Sequence, residues 1–132
     1  MGESIKIGLT YKNPFWRKEK SSGTVFSNVG PVTELYDHST IDDDLYALKG
    51  FFNGSYASLS KEERRSMVLS QLEKYYGSEV LSYLSYEEEV WENEKFTSSE
   101  YKNQLFPHQN NGDALFEKTY LSNRLFLGGT ET

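Results

Sequence analysis

The sequence contains no cysteine, and it has only three prolines and two histidines among its 132 residues. The lack of cysteine excludes disulfides, thiolate nucleophiles and thiolate metal sites, and it is compatible with a reducing cytosol. No apolar run approaches the ~18 residues that span a bilayer, and the N-terminus lacks the basic-then-apolar pattern of a secretory leader. We therefore expect a cytoplasmic protein that has no membrane segment.

Positive charge is also scarce in this sequence. The formal net charge is -6, from 14 Lys and Arg against 20 Asp and Glu. Because nucleic acids are bound through clustered positive charge, no nucleic-acid partner is expected. Aromatic residues, in contrast, make up 15% of the chain, which is typical of a folded protein. The length predicts a single domain over residues 1–132.

Common catalytic and metal-binding motifs are missing. The sequence has no Gly-x-Gly-x-x-Gly, no phosphate loop ending in Gly-Lys-Ser and no Gly-x-Ser-x-Gly, so this chain alone cannot form a dinucleotide fold or a serine triad. The acidic run at residues 42–44 beside His38 lacks the spacing of a calcium loop. Glu87, Glu88 and Glu89 cannot converge, because successive strand residues point to opposite faces. We expect no metal site.

The first half of the chain is predicted to be rich in β-strands. Residues 5–16 indicate a strand that ends in a turn, and two short β runs follow, split at Gly30-Pro31. The run "LYALKGFFNGS" ends at Asn53-Gly54. Because links of two to five residues join adjacent antiparallel strands, we expect these runs to form an antiparallel meander.

The hydrophobic period then changes to that of a helix. Ser60 and Glu63 have the spacing of a capping box, and Gly77 supplies a stop, which predicts a helix over residues 61–76. A shorter helix is expected over residues 79–84, followed by mixed β character in "YEEEVWENEKF" and a final strand at 124–127. The order predicts an α+β fold, with a mostly antiparallel or mixed sheet and two or more helices packed on one face.

Six blocks of the sequence, in order, resemble the flavin-containing monoamine oxidase family. They are "IKIGLTYKNPFWR", "GPVTELYDHS", "ALKGFFNG", "SKEERRSMVLSQLEKYYG", "YEEEVWENEKF" and "RLFLGGTET". The resemblance implies an FAD-dependent amine oxidase, which oxidises an amine to an imine and releases hydrogen peroxide. It also implies that this segment forms most of the substrate-binding domain, with a mixed sheet over the flavin ring.

The resemblance assigns roles to three residues near the reaction. Lys6 matches the family lysine that lies near flavin N5, often through a water, and is therefore the predicted catalytic residue. Trp91 matches a tryptophan close to the flavin. Tyr101 matches the first of two rings that sandwich the substrate amine, and an aromatic face suits an amine because its quadrupole attracts cationic or polarised nitrogen. The second ring of that pair belongs beyond the end of this sequence.

The resemblance also predicts how the cofactor is held. Gly129 would let the backbone approach the flavin, while Thr130 and Glu131 would begin a helix whose positive end faces the ribityl-phosphate side. Glu100 stands where the mitochondrial members carry the cysteine that bonds to the flavin. The resemblance therefore implies non-covalent FAD.

The family's dinucleotide-binding portion has no counterpart in this sequence. Our leading hypothesis is a substrate-domain fragment, inactive in isolation, that does not retain FAD and whose partner is the missing FAD-binding domain of the same polypeptide. Two alternatives remain open: a stand-alone, non-catalytic binding module, or part of a related flavin amino-acid oxidase or desaturase. The reading frame on both sides of the segment discriminates the module from the fragment, and a substrate screen discriminates the enzymes.

Overall fold

The computed structural model describes residues 4–42, 44–96 and 112–128. Its contacts divide the chain into two compact units, residues 1–99 and 100–132. The described strands are β1 Ser4–Tyr11, β2 Val25–Phe26, β3 Val32–Asp37, β4 Tyr46–Asn53, β5 Ser85–Val90, β6 Thr119–Tyr120 and β7 Leu125–Phe126. The α-helices are α1 Lys61–Tyr76 and α2 Ala114–Glu117, and 3-10 helices occur at Phe15–Lys20, Gly54–Tyr56, Ser78–Leu81 and Trp91–Asn93.

A five-stranded sheet forms the frame of the first unit, in the order β2-β3-β4-β1-β5. Each of its pairings is antiparallel, which confirms the predicted α+β fold with a mostly antiparallel sheet. The predicted meander is correct for β2, β3 and β4 but wrong for β1, which lies between β4 and β5. The 3-10 helix Phe15–Lys20 lengthens the link from β1 to β2 beyond what a hairpin needs, so β1 is free to pair elsewhere.

The sheet has two faces of different character. Along β1, buried and partly exposed residues alternate, as the two-residue period of a strand requires. Ile5, Ile7 and Leu9 are buried in one core cluster with Val68 and Leu72 of α1. We call this side the packed face. The opposite side carries Lys6, Gly8, Thr10, Lys49 and Phe51, which remain partly exposed. We call it the open face.

Helix α1 has the bounds that the sequence predicts. Ser60 Oγ accepts a hydrogen bond from the Glu63 N–H at 3.3 Å, and the Glu63 carboxylate accepts one from the Ser60 N–H at 2.8 Å. The capping box is therefore present, and it lowers the pKa of Glu63 through the backbone hydrogen bond from Ser60. Gly77 ends the helix at a φ of +78°. The shorter predicted helix occurs as the 3-10 helix Ser78–Leu81.

Gln71 of α1 anchors the turn that precedes β3. Its side-chain oxygen accepts a hydrogen bond from the Val32 N–H at 2.8 Å, and its amide nitrogen donates to the Val29 carbonyl at 2.9 Å. Gly30 passes directly over this amide at a φ of +87°, and a Cβ there would lie 2.6 Å from Gln71 Oε1. Glycine is therefore required at this turn for both conformation and space.

The second unit is described from residue 112 to residue 128. Asp113 caps α2 by accepting a hydrogen bond from the Leu115 N–H at 2.9 Å. Strands β6 and β7 then form a two-stranded antiparallel ribbon, so the predicted final strand is present as Leu125–Phe126. The turn between them holds Leu121, Ser122 and Asn123 in the left-handed region. In the described part of both units, no helix has the length and apolarity to cross a bilayer.

Candidate functional site

Lys6 lies on the open face, on β1 between β4 and β5. The strand registers place Phe51 of β4 opposite it on one side and Glu89 of β5 opposite it on the other. The Lys6 Nζ atom is 5.9 Å from the centre of the Phe51 ring and 5.4 Å from the centre of the Trp91 ring. The fold therefore brings together Lys6 and Trp91, two predicted site residues that are far apart in the sequence.

A shallow concavity of about 480 Å³ lies on the same face. This volume falls within the range of roughly 300–1,000 Å³ that small-molecule sites occupy. Its lining includes residues from β1, β4 and β5 together with His38, among them Lys6, Thr10, Lys49, Glu87 and Glu89. Gly8 also lines it, and a Cβ built on Gly8 would meet no atom within 4 Å. The missing side chain leaves open space in the middle of the face.

The open face carries hydroxyl groups farther along β1 from Lys6. The hydroxyls of Thr10 and Ser85 share a hydrogen bond of 2.7 Å between β1 and β5. Farther along the sheet, the Tyr36 hydroxyl donates to the Glu34 carboxylate at 2.7 Å, and this hydrogen bond raises the pKa of Tyr36. The face thus offers a ligand both an ammonium and hydroxyl groups.

The three consecutive glutamates of β5 separate between the two faces, as the strand period predicts. Glu87 and Glu89 are exposed, whereas the Glu88 side chain is buried with only 4% of its surface exposed. They do not form a paired-carboxylate site. Within residues 4–42, 44–96 and 112–128, no group of three or more histidine, cysteine, aspartate or glutamate side chains could hold a metal ion.

A buried ion pair on the packed face attaches β5 to α1. Arg64 Nε donates to Glu88 at 3.0 Å, and Arg64 Nη1 donates to the Ala57 carbonyl at 2.9 Å. The Tyr86 hydroxyl donates to the other Glu88 oxygen at 2.8 Å. Burial, followed by this hydrogen bond, raises the pKa of Tyr86, while the hydrogen bond to Glu88 raises the pKa of Arg64. Trp91 directly follows β5, so this pair supports its position next to Lys6.

Several predicted site residues lie outside the described part of the chain. They are Tyr101, Gly129, Thr130 and Glu131, and Glu100 belongs with them. Phe51, in contrast, was not predicted. The alternation along β4 could have identified it, because Phe51 lies on the same face of that strand as Ala47 and Lys49.

Comparisons with known proteins point to one family. The profile of a family described as flavin containing amine oxidoreductase matches residues 1–132. The chain is 37% identical over 101 residues to a probable flavin-containing monoamine oxidase A of Dictyostelium discoideum, covering 74% of this chain and 22% of that protein. It is 34% identical over 105 residues to the putrescine oxidase of Kocuria rosea, covering 76% and 22%.

A solved structure shows the same likeness. A putrescine oxidase determined with putrescine bound superposes with a TM-score of 0.67 at 34% identity, over 76% of this chain and 23% of that chain. The chain thus spans about a quarter of the length of the relatives it matches. With the profile matching along its whole length, the chain belongs to the family of flavin-containing amine oxidoreductases.

Proposed function

We propose that this chain forms the substrate-side wall of the flavin pocket in an FAD-dependent amine oxidase, with the open face turned toward the flavin ring. The position of Lys6 carries this proposal. The residue that resembles the family lysine near flavin N5 lies on the open face, beside two aromatic rings and a concavity. On the packed face the same side chain would be buried in the core and could not meet a ligand.

The open face fits a flat, polar ring system. Gly8 leaves space above the middle of the sheet, and Lys6 supplies a hydrogen-bond donor next to the faces of Phe51 and Trp91. Lys6 and Trp91 would contact the flavin, and residues 129–131 would hold the rest of the cofactor. The sequence has no cysteine, so FAD would be bound non-covalently to this segment.

FAD, when bound, supplies the acceptor for a hydride from the carbon next to the amine, and oxygen then takes the electrons to give peroxide. The residues of this chain would orient the cofactor and the substrate and exclude water from the reaction. Lys6 Nζ donates a hydrogen bond toward the cofactor, directly or through a water. Trp91 would shield Lys6 from solvent, and Tyr101, the residue that matches a family substrate ring, would contact the substrate amine.

The substrate class proposed is a small amine, and the remaining partner is the FAD-binding portion of the same polypeptide. The names of the relatives support an amine, since they include a putrescine oxidase and a monoamine oxidase. A second candidate is an amino acid, because an L-amino acid dehydrogenase of Synechocystis is 30% identical over 105 residues, 76% of this chain. A panel of both substrate classes, followed by anaerobic bleaching of the flavin, discriminates the two.

The proposal is tested in the full-length polypeptide that contains this chain. Lys6→Met is expected to keep FAD content and thermal stability but to lower peroxide production roughly 10²-fold, the scale of losing one positioned donor. Lys12→Met is the matched control, because Lys12 is an exposed lysine just past the end of β1. Equal activity of the two variants, or a full-length polypeptide that binds no FAD, would contradict the proposal.

The division of roles has its own test. The 132-residue chain alone is expected to be colourless and to produce no peroxide with amines that reduce the full-length protein. A stoichiometric flavin that stays with this chain through gel filtration would show that the segment holds the cofactor by itself.

A further inference from the structure

Phe51 and Lys6 are cross-strand neighbours on the open face. They are directly opposite in the register of β1 and β4, and facing side chains of such a pair are close enough to interact. Trp91 approaches the same ammonium from the end of β5. Lys6 Nζ therefore lies within 6 Å of two ring centres, at 5.9 Å and 5.4 Å, which is the range of a cation–π contact.

Lys6 also has a carboxylate neighbour, which it does not use. Glu89 is its register partner on β5, yet the ion pairs among residues 4–42, 44–96 and 112–128 do not include one between these two side chains. The Lys6 side chain extends toward the rings instead. The flexible four-carbon stem of a lysine allows its ammonium to reach either the carboxylate or the rings. We therefore attribute the observed position of the ammonium to the two rings.

We propose that Phe51 and Trp91 form an aromatic clamp that positions the Lys6 ammonium over the open face, with Phe51 acting as a positioning residue. The proposal deepens the function proposed above and rests on it for its catalytic consequence. The negative faces of the two rings attract the ammonium and restrict the lysine rotamers. Without the Phe51 ring, Lys6 turns away from Trp91 and toward Glu89, its register partner on β5.

The clamp is tested first without catalysis, in the 132-residue chain. Ring currents shift protons above an aromatic face upfield, so NMR of ¹³C-labelled lysine should show the Lys6 ε-protons upfield of those of Lys12. Phe51→Leu should move the Lys6 signal toward that of Lys12, and Phe51→Tyr should retain it. Phe26→Leu is the matched control, since Phe26 is an exposed ring against Tyr36 at the far edge of the sheet.

The catalytic consequence is measured in the full-length flavoenzyme. Phe51→Leu is expected to lower kcat roughly tenfold, because misplaced catalytic groups lose rate steeply, while KM, FAD content and melting temperature stay unchanged. Phe51→Tyr should restore the rate. Adding Glu89→Gln to Phe51→Leu should recover part of it, since the competing carboxylate is removed.

Each outcome decides between the two proposals. An unchanged Lys6 signal in Phe51→Leu overturns the clamp, and so does a change confined to KM, which would mean that the ring contacts substrate only. If the signal moves as expected but Lys6→Met leaves peroxide production intact, the clamp stands and the proposed role of Lys6 fails. If Phe51→Leu does not fold, Phe51→Tyr and Glu89→Gln test the clamp instead. Both variants should leave the Lys6 signal upfield, and a shift toward the Lys12 signal in either one overturns the clamp.

Discussion

The two faces of the five-stranded sheet are made by alternate residues of the same strands, yet they differ sharply in burial and in polarity. On the packed face, Ile5, Leu9 and Phe52 are buried to 1% exposure or less. On the open face, Lys6 and Phe51 keep part of their surface in solvent. One set of side chains holds the fold together, while its immediate neighbours in the sequence stay partly accessible to solvent.

This difference shows how the fold can stabilise a site without crowding it. The buried pair of Arg64 and Glu88 connects α1 to β5 from the packed side. Trp91 follows that strand and meets Lys6 on the open side. Changes on the packed face should therefore act on stability, and changes on the open face should act on function.

The largest effect is expected from breaking the buried ion pair. Arg64→Met leaves the Glu88 carboxylate buried without its cation, which should lower the free energy of unfolding of the 132-residue chain by about 3–5 kcal/mol. The control is Lys61→Met, which removes an exposed pair of 3.5 Å with Glu87 and should cost less than about 1 kcal/mol. Urea unfolding measures both. Similar losses in the two variants would contradict the contrast between the faces.

The next effect compares two glycines of the sheet. A Cβ at Gly50 would lie 2.5 Å from the Glu34 carbonyl oxygen and 2.8 Å from Leu35 Cδ1, so Gly50→Ala should destabilise by about 1–3 kcal/mol through overpacking. Gly8→Ala meets no atom within 4 Å and should be neutral or stabilising by up to about 1 kcal/mol. Thermal melts of the two single variants decide the matter. A larger loss of stability in Gly8→Ala than in Gly50→Ala would contradict the open space assigned to Gly8.

A smaller effect is expected from acid. Asp37 accepts hydrogen bonds from Arg17 at 2.6 Å and from the Ser39 N–H at 3.0 Å. Burial would raise the pKa of Asp37, but these hydrogen bonds outweigh it and hold the pKa well below its ordinary value. The stabilisation is thus fully present above about pH 4, the unfolded pKa, and is lost as the pH falls toward the lower folded pKa.

Asp37→Asn is the variant that tests this dependence. It should cost about 1 kcal/mol at pH 7, since the Arg17 side chain is partly exposed and solvent screens the pair. The cost should shrink in unfolding measurements made at successively lower pH below 4. A cost that stays constant with pH would assign the loss to packing rather than to charge.

Local pattern was sufficient for some elements and insufficient for others. The helix over residues 61–76 could be predicted to the residue, because the capping box at Ser60 and the stop at Gly77 are local signals. The place of β1 in the sheet could not, because pairing with β4 and β5 depends on contacts between distant segments. Nothing within residues 5–16 distinguishes a strand beside β2 from one between β4 and β5.

In the candidate site, too, the identity of some residues could be predicted from the sequence, but their contacts could not. Lys6 and Trp91 could be named from the resemblance of their sequence blocks to a known family. Their contact could not, since it requires β1 and β5 to be neighbours. Phe51 and its approach to Lys6 emerged only once β4 was placed on the other side of β1.

The strand alternation, the capped helix and the family could all be predicted from the order of residues along the chain. Contacts between distant segments determine which alternate residues α1 covers and which stay open, and they bring the Phe51 and Trp91 rings to the Lys6 ammonium. The physical reason is that alternation only separates side chains into two sets. Which set becomes core depends on where the helix packs, and burial of apolar surface settles that for the whole unit at once.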